Sequence, residues 1–342
     1  MSARSAKDYS LPPDNVSEGR VEELLEAATR VCCLVVGDLM LDRYVSGTVE
    51  RISPEAPVPV VRVEAESTAV GGAASVAHNA VALGARCDVI GVAGNDAGGV
   101  LLRRELEALG IGTGGLVMTD DRPTTVKTRV LARHHQVVRF DHEVDGDVTP
   151  ALADILAAAV TELAGSADVL VLEDYNKGVL VPPVIAATLG EGTARGLPTV
   201  VDPKRIRFFS FAGATVFKPN AKELADALGE AIRPEDPEWM EAVRVRAGCL
   251  HILITLGDQG MALRTDGGEY VRVPAVARSV YDVSGAGDTV TAVLALMLGA
   301  GATPTEAAVL ANHAAALEVG KAGVATVTGE EILDHHRAFQ AR

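Results

Sequence analysis

Short runs of Val, Leu and Ile alternate with longer Ala-rich amphipathic stretches along most of the chain. The apolar runs at 31–36, 87–92, 169–172, 199–201, 215–217 and 250–255 are bounded by turn signals and predict buried strands. Apolar residues on the 3.6-residue period predict helices at 97–109, 150–163, 221–228, 238–246, 287–298 and 303–319. A further helix is expected over 71–83, opened by glycines, and a last polar helix carries His335 and His336. Strands alternating with helices imply a mostly parallel sheet covered on both faces, an α/β fold. In such sheets ligands bind beyond the carboxyl ends of the strands.

Two segments break this rhythm. Residues 58–63 (VPVVRV) are marked as an edge or lid strand by Pro57 and Pro59. Residues 124–130 and 137–140 are rich in Val, Thr and Arg, with His134 and His135 between them, and predict an antiparallel hairpin. The stretches near 45–63 and 124–140 together predict a small accessory β sheet, a lid over the larger layer. A second hairpin, 261–263 with 270–273, is expected to flank the main sheet. Residues 1–25 are expected to be a polar tail and 26–342 a single domain.

The 342 residues suit one large α/β domain, and 48% apolar residues are enough for a sizeable core. A formal net charge of −15 argues against nucleic acid as a partner, while leaving room for a local basic pocket that takes a small anion. Cys32, Cys33, Cys87 and Cys249 lie in or beside apolar runs without the spacing of a zinc site. They read as reduced thiols of a cytoplasmic protein. No stretch approaches the ~18 uninterrupted apolar residues of a membrane span.

The candidate chemistry concentrates in Asp282-Val283-Ser284-Gly285-Ala286-Gly287-Asp288-Thr289, directly before a helical segment. Small residues at a helix start let an anion approach free N–H groups where the helix dipole favours negative charge. Asp288 in that first turn is either a dipole-stabilising acid or a base that takes the proton of an attacking hydroxyl. In the second reading Gly285, Ala286 and Gly287 hold a transferring phosphoryl group. Phosphoryl transfer needs little beyond that positioning and charge stabilisation.

This run resembles the D-x-x-G-A-G-D signature of the PfkB (ribokinase-like) carbohydrate kinases. Gly71-Gly72-Ala73-Ala74 is similar to the family's first signature, Asn220-Ala221-Lys222-Glu223 to its N-x-x-E, and Thr255 to Gly260 to its T-x-G-x-x-G loop. The four occur in the family's order, across about 31–328. The resemblance implies a ribokinase-like three-layer α/β/α fold with a β lid, and an ATP-dependent sugar kinase using Mg²⁺. It implies Asp288 as catalytic base with Gly285, Ala286 and Gly287 around the phosphoryl group. Asn220, Glu223, Thr255, Gly257, Gly260 and Asn312 would face ATP, with Asn220 and Glu223 on Mg²⁺ through water. Asp38, Asp42, Gly71, Gly72 and Ser75 would face the sugar. A homodimer paired through the lid is also implied.

A narrower resemblance rests on 37–44 (GDLMLDRY), 51–60 (RISPEAPVPV), Asp174 to Gly178, Asp202-Pro203-Lys204 and Tyr281 to Val283. These are similar to the kinases of ADP-heptose biosynthesis, which phosphorylate the anomeric hydroxyl of D-glycero-D-manno-heptose 7-phosphate. A substrate that already carries a phosphate needs cations. Lys177 is the leading candidate, followed by Lys127, Arg129, Arg133 and Arg139. Ser75 stands where the family signature has Asn, and Glu173 where that branch has a small residue. Two other readings stay open: a kinase of another sugar or sugar phosphate, and a non-catalytic sugar or nucleotide sensor on the same fold.

Overall fold

The structure is a computed structural model and describes residues 16–133, 135–277, 280–321, 323 and 325–341. Helix α1 (Glu18–Ala28) leads into β1 (Cys32–Gly37). The chain then runs outward along β2 (Leu39–Ile52), returns along β3 (Pro59–Gly72) and enters α2 (Ala73–Ala82). Next come β4 (Arg86–Gly94), α3 (Ala97–Ala108), β5 (Gly112–Thr119) and the hairpin β6 (Thr125–Ala132) with β7 (His135–His142). The alternation resumes in α4 (Pro150–Leu163), β8 (Val169–Glu173), α5 (Pro182–Arg195), β9 (Thr199–Asp202) and β10 (Val216–Phe217). It continues through α6 (Ala221–Leu228), α7 (Pro237–Ala247) and β11 (His251–Thr255). The hairpin β12 (Met261–Arg264) and β13 (Tyr270–Val273) precedes α8 (Ala286–Gly299), α9 (Pro304–Glu318) and α10 (Gly329–Gln340).

Two sheets result. The larger has the order β13-β12-β11-β10-β9-β8-β1-β4-β5, parallel from β11 to β5 and closed by the antiparallel β12–β13 hairpin. The smaller has the order β3-β2-β6-β7 and is the lid, with β2 and β6 parallel and the outer pairs antiparallel.

Strand β8 shows why the large sheet reads as continuous apolar runs. Alternate side chains point to opposite faces. Val169 and Val171 enter one core with Val35, Leu253 and Val293 of α8, while Leu170 and Leu172 enter the other with Leu156 of α4 and Val184 of α5. Both faces are covered by helices, so every position is buried. Side-chain caps fix the helix starts, with Thr149 accepting from Leu152 N on α4 and capping boxes at Asn220/Glu223 and Thr303/Glu306.

Of the polar tail expected over 1–25, residues 1–15 lie outside the described residues, and the structure corrects the remainder. Helix α1 starts at Glu18, with Ser17 accepting from Arg20 N, and buries Val21, Leu24, Leu25 and Ala28. That spacing of 0, 3, 4 and 7 is a helical apolar stripe within a polar segment. Gly71 and Gly72, expected to open a helix, instead end β3, and α2 begins at Ala73. Strand β5 and helix α5 escaped the sequence reading. Gly112, Gly114 and Gly115 dilute the apolar signal of an edge strand, and α5 opens on Pro182-Pro183 and carries Gly190 and Gly192. His134 lies outside the described residues.

Candidate active site

The parallel strands deliver their carboxyl ends to one rim: Asp38 follows β1, Glu173 and Asp202 end β8 and β9, and Thr255 ends β11. Asp38 is buried, and its carboxylate accepts from the backbone N–H groups of Tyr175 (2.8 Å), Lys177 (2.9 Å) and Val179 (3.0 Å). Arg122 Nη2 ties the same loop to the segment after β7 by donating to the carbonyls of Lys177 (2.6 Å) and Val144 (2.7 Å). The carboxylate of Asp38, expected at the sugar, is thus committed to holding the loop that follows β8.

A cavity of about 130 Å³ opens between the rim and the lid, lined by residues that include Asp42, Gly71, Gly72, Ser75, Tyr175 and Asp288. Met40, Val70, Lys127, Arg129, Ser284 and Gly285 complete its wall. Gly71 has a steric reason to be glycine, because a Cβ there would stand 2.6 Å from Asp42 Oδ2. Asp42 pairs with Arg129, whose guanidinium also lies 5.6 Å from the centre of the Tyr44 ring. Ser75 is buried on the same wall as Asp288.

Asp288 sits in the first turn of α8, 6% exposed. Gly285, at φ 96°, precedes the helix in the left-handed region, and no side chain caps the N-terminus. The amides of the first turn are therefore left for another acceptor. The Tyr175 hydroxyl donates to Asp288 Oδ1 at 2.7 Å. Burial pushes the Asp288 pKa up to about 6, against the opposing pull of the Tyr175 and Ser75 hydroxyls.

A row of alternating charges crosses the floor beside it. Lys218, 2% exposed, donates to Asp202 Oδ2 (2.8 Å), and Lys204 reaches Asp202 Oδ1 (3.1 Å) and Glu223 Oε1 (2.7 Å). Burial alone would lower the Lys204 pKa, but Asp202 and Glu223 hold it above its ordinary value. Glu223 Oε2 meanwhile accepts from Asn220 N (3.0 Å), and Asn220 bridges to Thr255. Glu173 is fully buried and neither carboxylate oxygen has a partner. Burial, with Asp202 and Asp288 nearby, drives its pKa well above the ordinary range, so the neutral acid is the form this interior accommodates.

The remaining expected residues are spread around this centre. Gly257 begins the 3₁₀ turn after β11, and Gly260 follows it. Asn312, expected near adenine, is buried in α9 and donates to Pro274 O at 2.8 Å. Lys177 is absent from the wall of the larger cavity. It lines a cleft of about 10 Å³ with Asp38 and Arg122, and its ammonium binds Glu143 (2.8 Å) and Asp145 (2.5 Å). Glu143 also binds Lys127 (3.2 Å), so one carboxylate joins Lys127 and Lys177. The sequence reading gave no role to Tyr175, Asp202 or Lys204. All three lie in stretches that carry the narrower resemblance, and each ends or closely follows a buried strand.

The pfkB family carbohydrate kinase model matches residues 32–330. The chain belongs to this family. A phosphotransferase acting on a sugar hydroxyl follows from that membership. The chain is 45% identical over 316 residues to the bifunctional protein HldE of Citrifermentans bemidjiense, covering 92% of this chain and 65% of that protein. It is 42% identical over 315 residues to the HldE of Geobacter sulfurreducens, covering 92% and 64%. The chain thus spans just under two thirds of these relatives. Among solved structures, Arabidopsis thaliana ribokinase with ribose and ATP is similar at a TM-score of 0.69 and 20% identity, over 90% of this chain and 99% of that one. Escherichia coli phosphofructokinase-2 with potassium has a TM-score of 0.74 at 20% identity, over 92% and 99%. These two likenesses establish the ribokinase-like fold.

Proposed function

We propose that the chain transfers the γ-phosphate of ATP to the anomeric hydroxyl of D-glycero-D-manno-heptose 7-phosphate, yielding the 1,7-bisphosphate and ADP. The observation that carries the mechanism is the buried Asp288 on the wall that also holds Asp42, Gly71, Gly72 and Ser75, at the uncapped start of α8. Asp288 accepts the hydroxyl proton as the sugar oxygen attacks the γ-phosphorus. The bond from that phosphorus to the β–γ bridging oxygen breaks, and ADP keeps the electron pair. The amides at Gly285, Ala286 and Gly287 take the charge on the transferring group.

ATP lies along Asn220, Glu223, Thr255, Gly257 and Gly260, with Asn312 toward the base. The donor set suits a Mg²⁺ ion bound through water. Both Glu223 oxygens are already engaged, by Lys204 and by Asn220 N, which favours an outer-sphere contact from Glu223 and Asn220. Mg²⁺, when bound, neutralises the β- and γ-phosphates.

The heptose phosphate reading draws on the HldE relatives and on the cations at the cavity mouth. Lys127 and Arg129 line the cavity and Lys177 is joined to Lys127 through Glu143, which suits a sugar that arrives with a phosphate. The lid exposes Ile52, Val58, Val63, Val138 and Phe140, which supports a homodimer paired through this sheet. The deciding test measures Mg²⁺- and ATP-dependent ADP release with heptose 7-phosphate, fructose 6-phosphate, ribose, fructose and adenosine. Turnover with heptose 7-phosphate is expected to exceed the others by at least about tenfold in kcat/KM. Preference for another sugar overturns the substrate and keeps the kinase.

A further inference from the structure

We infer that Tyr175 is a positioning residue for the base: its hydroxyl ties up Asp288 Oδ1 and leaves Oδ2 to receive the proton of the sugar hydroxyl. This inference rests on the proposed role of Asp288. The 2.7 Å hydrogen bond between the two groups is its direct observation. A carboxylate can only accept, so the phenol donates. Burial and the adjacent Asp288 push the Tyr175 pKa well above its ordinary value, which keeps the proton on the phenol oxygen at any working pH. Tyr175 is therefore a fixed donor and not a second base.

The loop is built to hold that donor still. Asp38 accepts from Tyr175 N, and Asp174 Oδ1 accepts from Asn176 N at 2.7 Å. Asn176, at φ 55°, accepts from Ile206 N at 3.0 Å, which ties the turn to the segment after β9. Lys204 Nζ lies 5.2 Å from the centre of the Tyr175 ring, within reach of a cation–π contact. The same ammonium binds Glu223 of the N-x-x-E motif, so Tyr175 stands between the ATP-side charge row and the base. A base with one oxygen pinned presents the other along one direction, which is what an in-line attack needs. The hydrogen bond also favours the charged form of Asp288 and so keeps it ionised to lower pH.

Tyr175→Phe keeps the ring and removes only the O–H. The acidic limb of the kcat–pH profile is expected to move up by about one pH unit, with kcat at pH 7 falling about tenfold and the KM for ATP unchanged. In an Asp288→Asn background the same change is expected to cost nothing further. An unmoved limb, or an equal loss in both backgrounds, overturns the inference. Normal turnover by Asp288→Asn alone would instead topple the proposed base. Should Tyr175→Phe not fold, 3-fluorotyrosine placed at 175 is a stronger donor and is expected to lower the limb; no shift there overturns the inference as well.

Discussion

The rim of the large sheet and the face of the lid meet at one cavity but are made differently. Strand β8 is buried at every position, whereas β7 is exposed at all but Asp141. The rim holds its ionisable groups out of water: Asp38, Asp202, Glu173, Lys218 and Asp288 are each less than a tenth exposed. Lid charges sit in partly open pairs, such as Arg43 with Glu66 and Arg62 with Glu50. Exposed pairs contribute little to stability, while buried polar groups matter greatly when a partner is removed. The rim therefore holds its groups in a fixed geometry, while the lid carries cations in more open pairs and an exposed apolar face.

The largest effect is expected where the rim is most committed. Asp288→Asn is expected to lower kcat by about two to four decades with little loss of ATP binding. The same change is expected to stabilise the fold near pH 8. The buried carboxyl has its pKa raised to about 6 from an ordinary 3.8, so it favours the folded state at low pH. That advantage disappears as pH rises through 6, leaving a cost of at most about 3 kcal/mol that Asn does not carry. Thermal melts of the two proteins at pH 5 and pH 8 check the sign. A variant that is slower and also less stable at pH 8 breaks the claim that this charge is held at a cost.

Next in size is the contrast in packing. Leu172→Ala, in a fully buried strand, is expected to cost about 2–5 kcal/mol in urea unfolding. Lys127→Ala, on the lid side of the cavity, is expected to raise the KM for the sugar phosphate roughly tenfold and leave the KM for ATP alone. A comparable rise in both KM values would place Lys127 in the framework instead of at the sugar.

The same division explains what could be read from the sequence. The rim was legible because buried parallel strands are short apolar runs, and the glycine pair where β3 meets it has a steric cause, since a Cβ at Gly71 would stand 2.6 Å from Asp42 Oδ2. Helix α6 was readable to its ends because Asn220 and Glu223 form a capping box and Gly229 terminates it. The long lid strands were underestimated. Their outer halves carry alternating charges, and hydrogen bonding between β2 and β3 continues where no hydrophobic pattern marks it. Long-range pairings also left no local trace: Tyr175 with Asp288 spans 113 positions, and Asp38 binds three amides more than a hundred residues away. His313 and His336 likewise look like surface polar residues, yet the structure buries both with ring nitrogens 3.2 Å apart.

The smallest effect on the isolated fold, and the clearest separation of lid from rim, is expected at Phe140. The residue is 57% exposed on β7, near the exposed Val138. Removing it uncovers no core, so Phe140→Ala is expected to change unfolding by no more than about 0.5 kcal/mol under conditions where the chain is monomeric. If this face seats a second copy, the ring is buried only in the dimer, and its loss appears in association instead. Sedimentation across a concentration series is then expected to show a dissociation constant raised at least about tenfold. An unchanged dissociation constant would remove Phe140 from the interface. A large loss of monomer stability would show that the lid, like the rim, is packed for its own fold.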